Sequence, residues 1–236
     1  AFGGQVWCTD AVLTEESRAL ALSNERGANG RVNYLKNIIG LWLVQESRRQ
    51  WQREGKDYSF SQLEQLALEA PPLQSFIDPD APEFTPPGDI AGRVRDFCRR
   101  TGQPVPETVG QVTRCIYESL ALKYRFALTQ LSRATGQSFT ALHIMGGGAQ
   151  AKLLCRMTAG CIGLPVLAGP VEATALGNVL IQLVALGELA DLEEGRALIA
   201  RTQPVERYEP EDTVLWADAF HRYQAILNQF ATKGGI

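Results

Sequence analysis

Three consecutive glycines, Gly146, Gly147 and Gly148, break the stretch ALHIMGGGAQAKLLC (141–155) between an apolar run and a segment of alternating small and apolar residues. A turn from the end of a strand into a helix is where α/β proteins place ligands, because the first N–H groups of the helix point outward without intrahelical partners. Glycines there remove the side chains that would hold a ligand off the backbone. One glycine is enough for a tight turn with positive φ, so three in a row point to contact with a ligand.

The identity of that ligand is not fixed by the glycines alone. Gly146, Gly148 and Ala151 satisfy G-x-G-x-x-A, and Glu172 follows at the distance of a dinucleotide-binding acid. That reading needs further βα units downstream, where the pattern predicts only helices. The phosphate-gripping G-x-x-x-x-G-K-[ST] is absent, since Gly55-Lys56 runs into Asp57. A second segment, AGPVEATALGN (168–178), places Gly169-Pro170 after a short strand and Glu172 at a helix start, where a carboxylate is favourable. Its Ala173, Ala175 and Gly177 are small enough for close helix packing.

The elements that must position these residues follow from periodicity and punctuation. Short β-compatible pieces surround Val6 and Trp7, and Thr14-Glu15-Glu16 reads as a helix cap. Leu35, Ile38, Ile39, Trp42 and Val44 predict one amphipathic helix running from Tyr34 to the basic end Arg48, Arg49, Arg53 near Gly55. A helix over 59–70 stops at Pro71-Pro72, and IDPDAPEFTPPGD reads as a surface excursion. Asp89 caps a further helix, and Pro106 opens a long one through about Arg133, ended by Gly136. Strand ALHIM, the glycines, a helix over 149–160, strand PVLAG and a helix from Glu172 to Leu186 come next. Helices near 192–201 and 211–231 follow. Strand, turn, helix, strand implies a parallel pair with a right-handed crossover, hence a helix-rich α/β core.

Composition narrows the function classes. A net charge of −3 with interspersed signs offers no field for nucleic acid or anionic membrane. No apolar stretch reaches membrane-spanning length, and AFGGQVW has no basic flank before an apolar run, so neither membrane insertion nor secretion is expected. Cys8, Cys98, Cys115, Cys155 and Cys161 form no C-x-x-C, the usage of a reduced, cytoplasmic compartment. A Cys98–Cys115 disulfide between neighbouring predicted helices stays open.

Taken together, LHIMGGGAQAKLLCRM, PVLAGPVEATALGNVLIQL and NYLKNIIGLWLVQ resemble the C-terminal domain of the FGGY carbohydrate kinases, with KNIIGLWLVQ and AGPVEATALGNVLIQ closest to the rhamnulokinase branch. NERGANGR, CRRTGQPVPET and RCIYESLALKY extend the match over nearly the whole chain. The resemblance implies an α/β fold of the actin-like, ribonuclease-H-like ATPase kind, residues 1–236 forming the nucleotide-binding half and the N-terminal sugar-binding domain being absent. It implies ATP or ADP, with Mg²⁺, as cofactor. Gly147, flanked by Gly146 and Gly148, would lie against the nucleotide, with Gln45 as a second contact, and Asn37 would reach a ketose. On the helix expected here, Asn37 and Gln45 stand about 12 Å apart.

The resemblance also marks departures. The aspartate that accepts the hydroxyl proton and the Ser-Gly-Thr-Trp phosphate hairpin would precede residue 1, so the domain is expected to be incomplete at its N-terminal hairpin, with no catalytic residue and no kinase activity of its own. Asp10 falls after that hairpin and is not assigned the role. Ala151 stands where relatives tend to carry a polar residue, leaving Gln150 as the polar side chain of the turn. An exposed domain interface would favour self-association. The competing expectation is a non-catalytic nucleotide-binding or partner-docking module of the same fold; an NAD-dependent oxidoreductase is a third.

Overall fold

The computed structural model describes residues 2–231, which divide into two compact units. The first takes the chain up to Phe139 together with the segment from Val214; the second is Thr140–Thr213.

In the first unit, β1 (Phe2–Cys8), β2 (Ser23–Arg26) and β3 (Val32–Ile38) form an antiparallel sheet in the order β1-β3-β2. The register runs from Phe2 opposite Ile38 to Cys8 opposite Val32, while β2 reaches only from Arg26 to Ser23, opposite Leu35. Between β1 and β2 lies α1 (Glu15–Ala19), whose cap is Thr14 as expected: its side chain accepts the Ser17 N–H. The Ser17 hydroxyl in turn hydrogen-bonds Tyr34, which is wholly buried in β3.

The expected single helix from Tyr34 is corrected here. Residues up to Ile38 are strand, and only Trp42–Arg53 is helix, α2. Leu35, Ile38 and Ile39 have helical spacing, but β3 is central and buries residues on both faces, Tyr34 and Leu35 among them. A two-sided strand loses the alternation that would distinguish it from a helix. Within α2, Leu43, Ser47 and Trp51 fall four apart and are all buried.

Four more helices complete this unit. α3 (Phe60–Glu69) begins at a capping box between Ser59 and Gln62, and α4 (Ile90–Arg100) begins at Asp89, which accepts the Gly92 N–H. α5 (Val109–Thr135) starts at Thr108 rather than Pro106, because Thr108 and Gln111 form a second capping box. Its middle, Cys115–Lys123, is buried all round. α9 (Thr213–Ala231) returns to this unit, where Arg222 donates to the Leu73 carbonyl at 2.9 Å. The excursion between α3 and α4 is not a surface loop throughout: Phe76, Ile77 and Phe84 are fully buried. At about 1.5–3 kcal/mol for each such side chain, it is a structural part of the core.

The second unit holds β4 (Leu142–Ile144), β5 (Val166–Ala168) and β6 (Glu206–Tyr208). β4 and β5 are parallel, joined through α6 (Lys152–Ile162), as the strand–turn–helix–strand pattern predicts. β6, which the sequence reading took for helix-only territory, adds antiparallel to β5. Three residues give too little pattern to read. Ala149, Cys155, Ala159, Val166 and Ala168 form this unit's core. Two further helices, α7 (Ala173–Ala185) and α8 (Leu192–Thr202), pack against each other. On α7, Val179 and Ile181 are exposed.

Candidate functional site

The glycine turn is a 3₁₀ turn, Gly146–Gln150, between β4 and α6. Helix α6 therefore begins at Lys152, three residues later than expected. The turn is pinned where it leaves β4. Gly146 N–H donates to the Pro170 carbonyl at 3.0 Å and Gly169 N–H to the Ile144 carbonyl at 2.8 Å, tying the exits of β4 and β5 together. The Cys155 thiol lies 3.7 Å from the Gly148 carbonyl from below.

The three glycines have different reasons to be glycine. Gly146 has φ +71, the left-handed region that other residues enter at a cost. Gly148 is buried, and a Cβ there would lie 3.3 Å from the Ile144 side chain. Gly147 has neither constraint: its φ is ordinary, nothing lies within 4 Å of where a Cβ would be, and it is exposed. Gln150 is exposed on the same turn, and Ala151 is buried beneath it.

Asn37 and Gln45 belong to the first unit. Asn37 is exposed near the end of β3, opposite Gly3 of β1, and Gln45 is half-buried in the first turn of α2. They flank one short connection, Ile39–Leu41, rather than sharing a helix, so the 12 Å helical spacing does not apply. Beside Gln45, Glu46 is buried and accepts from Arg49 at 3.1 Å, Arg53 at 3.0 Å and the Gly88 N–H at 3.1 Å. Burial alone would raise its pKa, but these donors outweigh that and hold it below the usual carboxylate range.

Several charged groups escaped the sequence reading. Lys123, buried in α5, pairs with Asp78 at 2.8 Å and Asp80 at 2.9 Å. Burial would lower its pKa, yet the two carboxylates raise it. Asp80 also accepts the Ile39 N–H at 2.8 Å. The signal was the doublet Asp78-Pro79-Asp80, whose partner lies more than forty residues away. A cavity of about 120 Å³ is bordered by Pro71, Pro106, Arg114, Cys115 and Glu118, and by none of the candidate residues. Cys98 and Cys115 are neighbouring buried thiols sharing a hydrogen bond; no disulfide joins any of the five cysteines.

Residues 9–186 match the C-terminal domain of the FGGY family of carbohydrate kinases. The chain belongs to that family. Among curated FGGY relatives, a rhamnulokinase of Bacteroides thetaiotaomicron is 44% identical over 92% of the chain, and one of Enterococcus faecalis 41% identical over 94%. The chain spans only 44% of the length of each. Solved xylulose kinases share the fold: that of Lactobacillus acidophilus, ligand-bound, superposes with a TM-score of 0.68 at 14% identity, covering 97% of this chain and 45% of that one. For the Rhodospirillum rubrum enzyme the TM-score is 0.64 at 16% identity, with 98% and 45% covered. The fold is thus the helix-rich α/β, actin-like fold of FGGY sugar kinases, which disposes of the dinucleotide reading: with β6 antiparallel, the sheet of the glycine turn has one parallel pair among the described residues.

Among the described residues, no group of three or more His, Cys, Asp or Glu could hold a metal ion. No helix among them is long and apolar enough to cross a membrane.

Proposed function

We propose that the chain is the nucleotide-binding half of a rhamnulokinase-like sugar kinase, whose intact form transfers the γ-phosphoryl group of ATP to a hydroxyl of L-rhamnulose or a related ketose in the cytoplasm. The observation that carries this is Gly147. A glycine at an exposed turn position with ordinary φ and open space around it is explained by a ligand that approaches the backbone there. Gly146 and Gly148 shape the turn on either side, Gln150 offers a polar side chain on it, and Gln45 is the further nucleotide contact that the family resemblance adds. Exposed Asn37 is the sugar contact.

Phosphoryl transfer is accelerated mainly by positioning and by neutralising charge on the transferring oxygens. In this reading the chain binds and orients the nucleotide. ATP supplies the phosphoryl group when bound. Among the described residues no side-chain cluster would hold Mg²⁺, which in this reading would enter with the nucleotide and supply charge neutralisation at its phosphates.

Calorimetric titration with ADP tests the proposal. The wild-type chain is expected to bind, and Gly147→Ala to bind at least about tenfold more weakly, since a methyl group occupies the ligand's place. Equal ADP affinity in the two proteins would overturn it. NAD titrated alongside is expected to give no saturable heat.

A further inference from the structure

We propose that Asp80 is a positioning residue for the sugar contact: it fixes the end of β3 that carries Asn37. This rests on the reading of Asn37 given above.

The strand has little else to fix it there. β2 pairs with β3 only as far as Leu35, so from Lys36 to Ile38 the strand has β1 on one side alone. Ile38 is the last residue with a strand partner. The next donor along the backbone, Ile39 N–H, goes to Asp80 Oδ1 at 2.8 Å. Asn37 therefore lies in a one-sided ladder just before a side-chain clamp on the backbone, and Gln45 follows on the other side of that clamp.

Asp80 is itself held rigidly. Its second oxygen, Oδ2, lies 2.9 Å from Lys123 Nζ, and its own N–H donates to Asp78 Oδ1 at 3.2 Å. Lys123 projects from the buried middle of α5 and also binds Asp78 at 2.8 Å. Lys36, next to Asn37, donates its ammonium to the Leu20 carbonyl, which holds the preceding residue as well. Both Asp80 oxygens are thus occupied, one by the backbone donor and one by the ammonium. A carboxylate so engaged transmits the rigidity of α5 to the β3–α2 connection. Misplacement of a substrate contact by about 1 Å can cost a hundredfold in rate.

The test measures steady-state kinetics of the kinase polypeptide that contains these residues, with hydrogen exchange at Ile39. Asp80→Ala is expected to lose protection at Ile39 and to raise the ketose KM about tenfold, with the ATP KM within about twofold. Asp80→Asn, whose amide oxygen can still accept the N–H, is expected to restore the ketose KM. Asp78→Asn also weakens the pairing with Lys123 but spares the Ile39 bond, and is expected to leave the ketose KM unchanged. Should Asp80→Ala not fold, an ester in place of the residue 39 amide removes the donor alone and is expected to raise the ketose KM equally. Asn37→Ala separates the two levels of the argument. If Asn37→Ala raises the ketose KM while loss of the Asp80 bond does not, the positioning role is overturned by itself. If Asn37→Ala leaves that KM unchanged, the sugar reading of Asn37 fails and the positioning role with it.

Discussion

Glu118 accepts the Leu73 backbone N–H with both carboxylate oxygens, at 3.0 and 2.9 Å. Leu73 has φ +54, a conformation that costs a branched residue energy, so the carboxylate holds a strained turn in place. Arg114 Nε reaches the same carboxylate at 2.7 Å, and yet the Glu118 pKa is raised, because burial outweighs the Leu73 and Arg114 donors.

It follows that the acceptor matters here and the charge does not. Glu118→Ala strands a buried N–H and is expected to destabilise the first unit by about 2–3 kcal/mol, whereas Glu118→Gln keeps an acceptor and is expected within about 1 kcal/mol of wild type at neutral pH. A group whose folded pKa is raised stabilises most below its unfolded value, near 4.5, and loses that contribution as pH rises through the folded pKa. Wild type should therefore lose stability relative to Glu118→Gln as pH climbs through the range above 4.5. All four tryptophans, Trp7, Trp42, Trp51 and Trp216, lie in the first unit, so urea unfolding followed by their fluorescence reads it selectively. A gap that widened in the opposite direction would show that the ion pair, not burial, governs Glu118.

The neighbouring case has the opposite sign. Glu46 is as deeply buried, but Arg53, Arg49 and Gly88 N–H together hold its pKa below 4.5. Its contribution is present above the unfolded pKa and is lost as pH falls through the depressed folded value. Glu46→Gln is expected to cost about 1.5–3 kcal/mol at neutral pH, the range for hydrogen bonds to a charged group, with the difference closing on acidification. The same fluorescence-detected unfolding at two pH values checks it; a pH-independent difference would count against the charge.

Local chemistry was the legible part of the sequence. Thr14 and Asp89 cap helices where their spacing to the next apolar run places them, and the strand–glycine–helix–strand pattern gives the parallel β4–β5 pair. The β3 segment was misread because burial on both faces erases a period of two. The clamp on Ile39 was missed for a different reason: Asp80 lies 41 residues from Ile39, and a local pattern does not name a partner across that separation. At the candidate site, the glycines identified the turn, but which of them the turn itself does not require is seen only in the space around each one.

That space orders the glycine turn by stability. Gly146→Ala forces a Cβ into a left-handed conformation and is expected to cost about 1–2 kcal/mol. Gly148→Ala presses on Ile144 from 3.3 Å and is expected to cost less than that, since a few tenths of an ångström of side-chain movement relieves it. Gly147→Ala meets nothing within 4 Å and is expected to be neutral or to stabilise by about 0.4–1 kcal/mol, by restricting the unfolded chain. Hydrogen exchange of the α6 amides, which lie directly behind the turn in the second unit, gives the three values without interference from the tryptophan-bearing unit. A Gly147→Ala variant that loses protection as Gly146→Ala does would mean that the turn itself demands a glycine at 147, and would leave the nucleotide no part in explaining it.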